Sequence, residues 1–452
     1  MKKIFCFLLF VLGYLLPSSA QELSLTVYNQ NLALVREVRE MSIASGVSTV
    51  AFTDVAARID PTSVHFKSLS APEKLTLMEQ NFEYDLVSAR KILEKYVDEE
   101  IRLVMEKGEV FEGKLLSASD SDIVIQDEEG RIKVIQGEGV QHFDFPKLPE
   151  GLITRPTLVW MVENQGPGKQ KAEVSYLTDG VNWHAEYVAV VDAEDKNLDL
   201  GGWVSIENRS GATYGNAKLK LVAGDVHRVK PKRRRVGEDD AVAPQILAKA
   251  AAPQFEEKAF FEYHLYTLQR RTTLKDNQTK QISLFPPAET KTEKIFIHDG
   301  SRYGKKVRVH LEFKNSEKDG LGIPLPEGKI RVYKEDVDQA LEFVGEDLID
   351  HTPVDEKVRI FLGNAFDLVG ERVQKSSKKI SDRVYEREIE VSLRNRKEED
   401  VEIVVVEHFY GDWKISNNSH SFVKKDAWTA EFTVAVPARG EVTLSYTATI
   451  QW

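Results

Sequence analysis

The sequence predicts a mainly β protein: antiparallel β-sandwich domains plus a small five-stranded barrel preceded by one short helix. Three observations carry this. Apolar and polar residues alternate over strand lengths in most segments, as from Leu23 to Val27 and from Val442 to Ile450, which is the period-2 signature of half-buried strands. Gly, Pro, Asn and Asp interrupt these segments roughly every ten residues, too closely for the helical crossovers that parallel sheets need. Only Tyr84 to Tyr96 sets its apolar residues at helical spacing.

The chain opens with Lys2 and Lys3, an apolar run from Ile4 to Leu16, and Pro17, Ser18, Ser19 and Ala20. A charged start, a short apolar centre and small residues before a cut predict a secretory signal over 1–20, too short to span a bilayer, with the mature protein starting at Gln21. The single cysteine, Cys6, lies in that leader, so the exported body has no disulfides and must be held by apolar burial. A length of 452 residues predicts two to four folding units of ~100–200 residues each. The formal charge of -11 repels polyanions and argues against nucleic acid and anionic membrane faces as general partners. No later apolar run approaches a membrane-spanning length, so no transmembrane helix is expected.

Residues 21–80 are expected to form an N-terminal β unit, with strands around Leu23–Tyr28, Leu32–Val35, Val47–Phe52 and Val64–Phe66. A turn precedes Pro61, which pushes the residue before it out of helical space. In 84–146, Tyr84, Leu86, Val87, Ile92, Leu93 and Tyr96 share one helix face. Five brief strands follow: Glu100–Met105, Val110–Ser117, Asp122–Gln126, Arg131–Ile135 and Val140–Phe145. Lys107-Gly108, Ser119 to Asp122 and Glu128 to Gly130 supply the turns between them. Through Ile101 to Val104, Gly108 to Leu115 and Asp122 to Gln126, this stretch resembles the Sm/SH3-like small barrel. Sm-like barrels imply RNA, but the Glu- and Asp-rich strands and the expected export argue for no nucleic acid here.

From 155 to 452 short strands recur, among them Leu158–Val162, Ala172–Tyr176, His184–Val191, Asn197–Asn208, Lys218–Val222, Glu262–Leu268, Lys294–Ile297 and Val307–Phe313. Ile330–Tyr333, Val358–Leu362, Tyr385–Leu393, Val401–Glu407, Trp428–Val436 and Glu441–Gln451 continue the series. Asp179-Gly180 has the composition of a hairpin turn. Between the strands, 228–256 is expected to be a flexible insertion. Its basic run Lys230–Arg235 is followed by Glu238, Asp239 and Asp240, which favours a solvated loop over a nucleic-acid patch.

Several strings resemble the bacterial family DUF4139, some members of which are labelled mucoidy inhibitor A. They run from Ser175 through Asp179-Gly180 and Trp183 to Tyr187, from Leu221 to Asp225, and from Phe261 to Leu268. Others run from Leu325 to Tyr333, from Phe343 to Asp347, from Asp350 to Pro353, and from Leu362 to Asp367. The resemblance covers roughly 155–452. The labelled members carry a long coiled-coil insertion where this chain has its barrel-like stretch. The resemblance implies an extracytoplasmic β-rich protein and transfers no catalytic residue.

No catalytic, cofactor or metal motif emerges. Asp179, Trp183 and His184, with Glu186, combine an indole with charged acceptors that suit a polyol; the cheaper reading makes Trp183 and Tyr187 core residues. Asp350, His351 and Asp367, with Thr352 and Asn364, form a second ligand-binding candidate, although no nucleophile elbow surrounds any serine and a side-chain-bonded turn explains them more cheaply. Asp192, Glu194, Asp195 and Asp199 lack the glycine and terminal glutamate of a calcium loop and read as a solvated hairpin tip. The histidines are scattered, the closest pairs being His298/His310 and His408/His420, so no zinc pattern appears.

These readings point to an exported, non-catalytic binding or assembly module in the periplasm or on the surface of a Gram-negative bacterium, with an envelope protein or glycan as partner and no cofactor. The alternative is an extracytoplasmic hydrolase of glycan or peptide whose residues converge from separate strands. A second alternative, an outer-membrane β-barrel, draws on the alternation from Val442 to Trp452.

Overall fold

The chain builds almost everything from strands because its alternating apolar residues can be buried only when sheets pack face to face. The computed structural model describes residues 22–119, 121–149, 151–224, 226–227, 254–260, 263–336, 338 and 340–452. The expected leader lies outside the described residues, as does the expected insertion as far as residue 253; Phe255 and Glu256, at its far end, already belong to a strand.

In chain order the elements begin with β1 (Glu22–Tyr28), β2 (Leu32–Ser42), β3 (Gly46–Thr53), β4 (His65–Ser68) and β5 (Leu75–Glu83). Helix α1 (Ala89–Lys95) precedes β6 (Glu100–Met105), β7 (Val110–Ala118), β8 (Asp122–Gln126), β9 (Ile132–Gln136) and β10 (Val140–Asp144). Then come β11 (Thr157–Asn164), β12 (Lys169–Thr178), β13 (Val181–Val191), β14 (Asn197–Asn208), β15 (Tyr214–Ala223), β16 (Phe255–Phe260), β17 (Tyr263–Leu268), β18 (Thr272–Leu274) and β19 (Gln278–His298). Helix α2 (Gly300–Tyr303) leads to β20 (Lys306–Lys314), β21 (Gly328–Glu335), β22 (Leu341–Ile349), β23 (Lys357–Ser381) and β24 (Val384–Asn395). The last strands are β25 (Val401–His408), β26 (Asp412–Ser416), β27 (Phe422–Lys424), β28 (Thr429–Val436) and β29 (Glu441–Gln451).

In residues 22–80 strands form at the four expected places and a fifth, β5, begins at Leu75, but they do not make a sheet of their own. β1, β2 and β4 enter an eight-stranded sheet ordered β16-β17-β15-β1-β2-β12-β4, with β18 on β15, while β3 and β5 flank β11. The first strands are thus stitched to strands that follow the small barrel. Most pairing is antiparallel, as expected, but β1–β15, β13–β21 and β19–β25 are parallel.

The five barrel strands hydrogen-bond in the order β10-β6-β7-β8-β9 around a core of Leu103, Leu115, Ile125 and Tyr96. Gly113 (φ 154°) bends β7 so closely over β8 that a Cβ there would stand 2.3 Å from the Gln126 carbonyl oxygen. The helix is shorter than its apolar spacing predicts. Leu86 bridges Ile153 and the Val87 N–H donates to the Ile153 carbonyl at 2.9 Å, so the chain stays extended until Ser88 caps α1. Tyr84 is consequently exposed rather than on a buried helix face.

The other large sheet has thirteen strands, with a main path β22-β21-β13-β14-β19-β20-β23-β24-β29-β26; β25 pairs with β19 and β28, and β27 with β28. Its first half packs against the eight-stranded sheet in one core containing Trp160, Trp183, Tyr176 and Tyr187. A separate core holds the C-terminal sandwich around Ile389, Val405, Phe432 and Tyr446. β19 and β23 thread both: Ile282 and Ile360 lie in the first core, Phe296 and Leu368 in the second. In β19, Pro286 and Pro287 lack the N–H a ladder needs, and the β14 pairing slips beside them between Leu200 and Trp203. Gly202 makes room there, since a Cβ would sit 2.3 Å from the Phe285 ring.

Candidate functional site

Asp179-Gly180 does not form a hairpin. β12 belongs to the eight-stranded sheet and β13 to the thirteen-stranded one, so the turn carries the chain between layers. Gly180 (φ 86°) approaches the Arg209 carbonyl closely, and its N–H donates to Asn31 Oδ1 at 3.0 Å. Period 2 then separates the first candidate group. Trp183 points into the core and donates from Nε1 to the Val222 carbonyl at 3.1 Å, tying the two layers together. His184 points outward, its Nε2 lying 3.3 Å from Glu186 Oε1. Asp179 is exposed at the turn. Tyr187 is buried and donates to the Pro326 carbonyl at 2.7 Å, and burial raises its phenol well above the ordinary value.

The second group is a bonded turn. His351 Nδ1 accepts from the Glu327 N–H at 3.0 Å, and its Nε2 lies 3.3 Å from the Asn29 amide. Exposed Asp350 receives the Thr352 hydroxyl on its carbonyl at 2.8 Å, and exposed Asp367 receives the Arg396 N–H on its carbonyl at 2.8 Å. Asn29 and Asn31 belong to the turn between β1 and β2. That turn therefore touches Gly180 on one side and His351 on the other, which brings the two candidate regions to neighbouring flanks of one hairpin while Asp367 bonds elsewhere.

The acidic tip between β13 and β14 is only partly the solvated turn expected. Asp192 accepts from the Lys196 N–H and the Asn197 amide, but the Asp195 side chain is mostly covered and holds two lysines. Among the described residues no group of three or more His, Cys, Asp or Glu is placed to hold a metal ion, and no helix is long and apolar enough to cross a membrane.

A polar cleft of about 410 Å³ opens beside Glu37, Arg39, Asp54, Tyr176 and Tyr214. Its groups are largely engaged internally. Arg39 grips both oxygens of buried Glu37 at 2.5 and 2.9 Å, Tyr176 accepts from the Ala56 N–H, and Tyr214 bonds the Ser210 hydroxyl. Burial raises both phenols. The C-terminal sandwich has a comparable buried network, in which His408 Nε2 meets Asp299 Oδ2 at 2.9 Å and Arg372 meets Glu407. Burial lowers the His298 pKa beside it, and its Nδ1–H donates to the Lys306 carbonyl at 3.1 Å.

A group of exposed aromatic residues lies at one end of that sandwich. Tyr410, Trp428 and Trp452 are 66%, 55% and 55% exposed. Tyr410 lies in the segment from Phe409 to Asp412, which runs between the other two: the Phe409 N–H donates to the Trp428 carbonyl at 2.8 Å, and Asp412 pairs with Gln451, next to Trp452. Trp413 stacks on Phe409 at 4.7 Å, donates to the Ala427 carbonyl at 2.7 Å, and carries the Lys424 ammonium 4.5 Å above its ring. Asp426 accepts from the Trp428 N–H at 2.7 Å. The sequence offered a signal here that alternation alone passes over, namely Phe409, Tyr410, Trp413 and Trp428 among Gly, Asn and Ser.

A scan against protein-family models finds no match, and a search of curated proteins finds no relative.

Proposed function

We propose that this chain is an exported, non-catalytic β-rich binding module of a Gram-negative cell envelope, and that it holds a glycan at its aromatic end. The exposed group Tyr410, Trp428 and Trp452 carries this reading. Large aromatic faces left in water favour a contact that covers them. Flanking Asp412 and Asp426 supply acceptors beside the exposed rings and the Lys424 ammonium, over the Trp413 face, supplies a donor, which suits a polyol whose apolar C–H faces need a flat surface and whose hydroxyls need partners. The leader-like start, the thiol-free body and the DUF4139-like strings support placement in the envelope.

The test is cosedimentation of the purified protein with isolated cell-wall glycan, run beside crosslinked affinity capture from cells. Saturable glycan binding that falls in Trp428→Ala and Trp452→Ala supports the reading. Capture of a protein through the same aromatic residues, without glycan binding, replaces the glycan by a protein partner. An uncleaved leader on cytosolic protein overturns the envelope assignment.

A further inference from the structure

The first seven strands of the thirteen-stranded sheet curl until β22 lies against β23. The seam is latched by side chains and close packing. Asp347 Oδ2 accepts from the Phe361 N–H at 2.7 Å, and Gly345 sits where a Cβ would come within 2.6 Å of the Leu362 carbonyl oxygen. Register slips at Val309/His310 in the β20–β23 ladder and at Val332/Tyr333 in the β21–β22 ladder distort the strands near the rim.

At this end the curled sheet leaves a cleft of about 270 Å³. Barrel mouths are recurrent ligand sites, apolar in lining with a few placed polar groups. Val191, Leu311, Val344 and Leu362 supply apolar wall, and Asp195, Lys294 and Lys334 supply the polar groups. Asp195, at a left-handed φ of 59°, turns its carboxylate between the two lysines, with Nζ of Lys294 and of Lys334 each 2.5 Å from one oxygen. Burial would raise this carboxyl, but the two ammonium hydrogen bonds outweigh it and hold the group below the ordinary carboxylate range.

The donor count decides what fits. Each ammonium has three N–H groups, and Asp195 is a single carboxylate between two of them. Asp192, the other carboxylate near Lys334, is engaged by the Lys196 N–H and the Asn197 amide. A cation entering the mouth would meet two ammonium groups, and a purely apolar guest would cover lysine donors without satisfying them, at a desolvation cost. We propose that the mouth binds a small amphipathic carboxylate, its apolar body against Val191, Val344 and Leu362 and its head group shared with Asp195 between Lys294 and Lys334. This site is separate from the aromatic end and does not rest on the glycan reading.

Titration calorimetry of the purified protein with octanoate, octan-1-ol and acetate separates body from head. Saturable octanoate binding is expected, with the alcohol and acetate each at least about tenfold weaker, the size of one charge-assisted bond. Lys334→Gln should weaken octanoate about tenfold on the same basis. Val344→Trp, at a partly exposed position on β22, should block the mouth while leaving the thermal midpoint unchanged. The proposal is overturned if octanoate gives no saturable heat, if octan-1-ol binds as tightly as octanoate, or if Val344→Trp leaves octanoate affinity intact.

Discussion

Arg372 on β23 and Glu407 on β25 face each other in the C-terminal sandwich, with the arginine Nε 3.0 and 2.9 Å from the two carboxylate oxygens. Glu407 is 1% exposed, and the Tyr446 hydroxyl donates to its Oε2 at 2.6 Å. A buried carboxylate stripped of its cation costs about 3–5 kcal/mol, whereas replacing both partners by apolar residues costs far less. Arg372→Met should therefore lower the urea midpoint sharply, and Arg372→Met combined with Glu407→Leu should recover most of it. Equal midpoints for wild type and Arg372→Met would contradict this account.

His310 gives the fold a defined acid sensitivity. Burial first, then the Arg308 and Arg359 charges, push its imidazole down to about 4 from an ordinary 6.5. Between those values the unfolded chain binds a proton that the folded chain refuses, so stability falls as pH drops through this window and levels below it. Urea midpoints at pH 7.5 and pH 5 should show a smaller acid loss in His310→Leu than in wild type. An unchanged difference between the two pH values would refute the assignment.

Gly113→Ala should damage the small barrel before the rest of the chain. The added methyl would meet the Gln126 carbonyl at 2.3 Å against backbone that cannot yield, in a conformation that side chains rarely adopt. Because the barrel has its own core, hydrogen exchange should accelerate over β6 to β10 while Trp160 and Trp183 keep their buried fluorescence. Uniform loss of protection across the whole chain would show instead that the barrel and the main body unfold together.

Trp160 tests the three-stranded sheet formed by β3, β11 and β5. Its ring is fully buried, stacks on Phe66 at 4.4 Å, and donates from Nε1 to Gln80 at 2.9 Å. Truncating a core tryptophan to alanine costs about 3–5 kcal/mol through lost contacts and the cavity left behind. Trp160→Ala should lower the unfolding free energy from denaturant titration by that amount, while Trp428→Ala, at an exposed site, should leave it nearly unchanged; equal losses would remove the distinction between core and contact surface.

Local chemistry explains which parts of the fold were legible. All five barrel strands fall within two residues of the bounds that alternation and glycine turns predict, because each strand declares its own period. The helix came out short because the Asp85 carbonyl and the Val87 N–H bond the backbone of Ile153, a partner far along the chain. β22 and the first half of β19 were missed: β22 is largely exposed and carries little alternation, and the two prolines of β19 imitate a break. Asp179-Gly180 has the composition of a hairpin, yet the strands on either side bond to different sheets.

What the sequence determined by itself was the β class, the five small-barrel strands with a helix before them, and an inside and outside for the strands that alternate, all properties carried by neighbouring residues. The tertiary structure alone decided that β1 and β2 join strands beyond the barrel, that β19 and β23 thread two cores, and that Asp195 meets Lys294 and Lys334, respectively 99 and 139 positions away. Strand pairing and ion pairing follow from which surfaces bury each other best. That choice is made across the whole chain, where one-dimensional spacing carries no record of it.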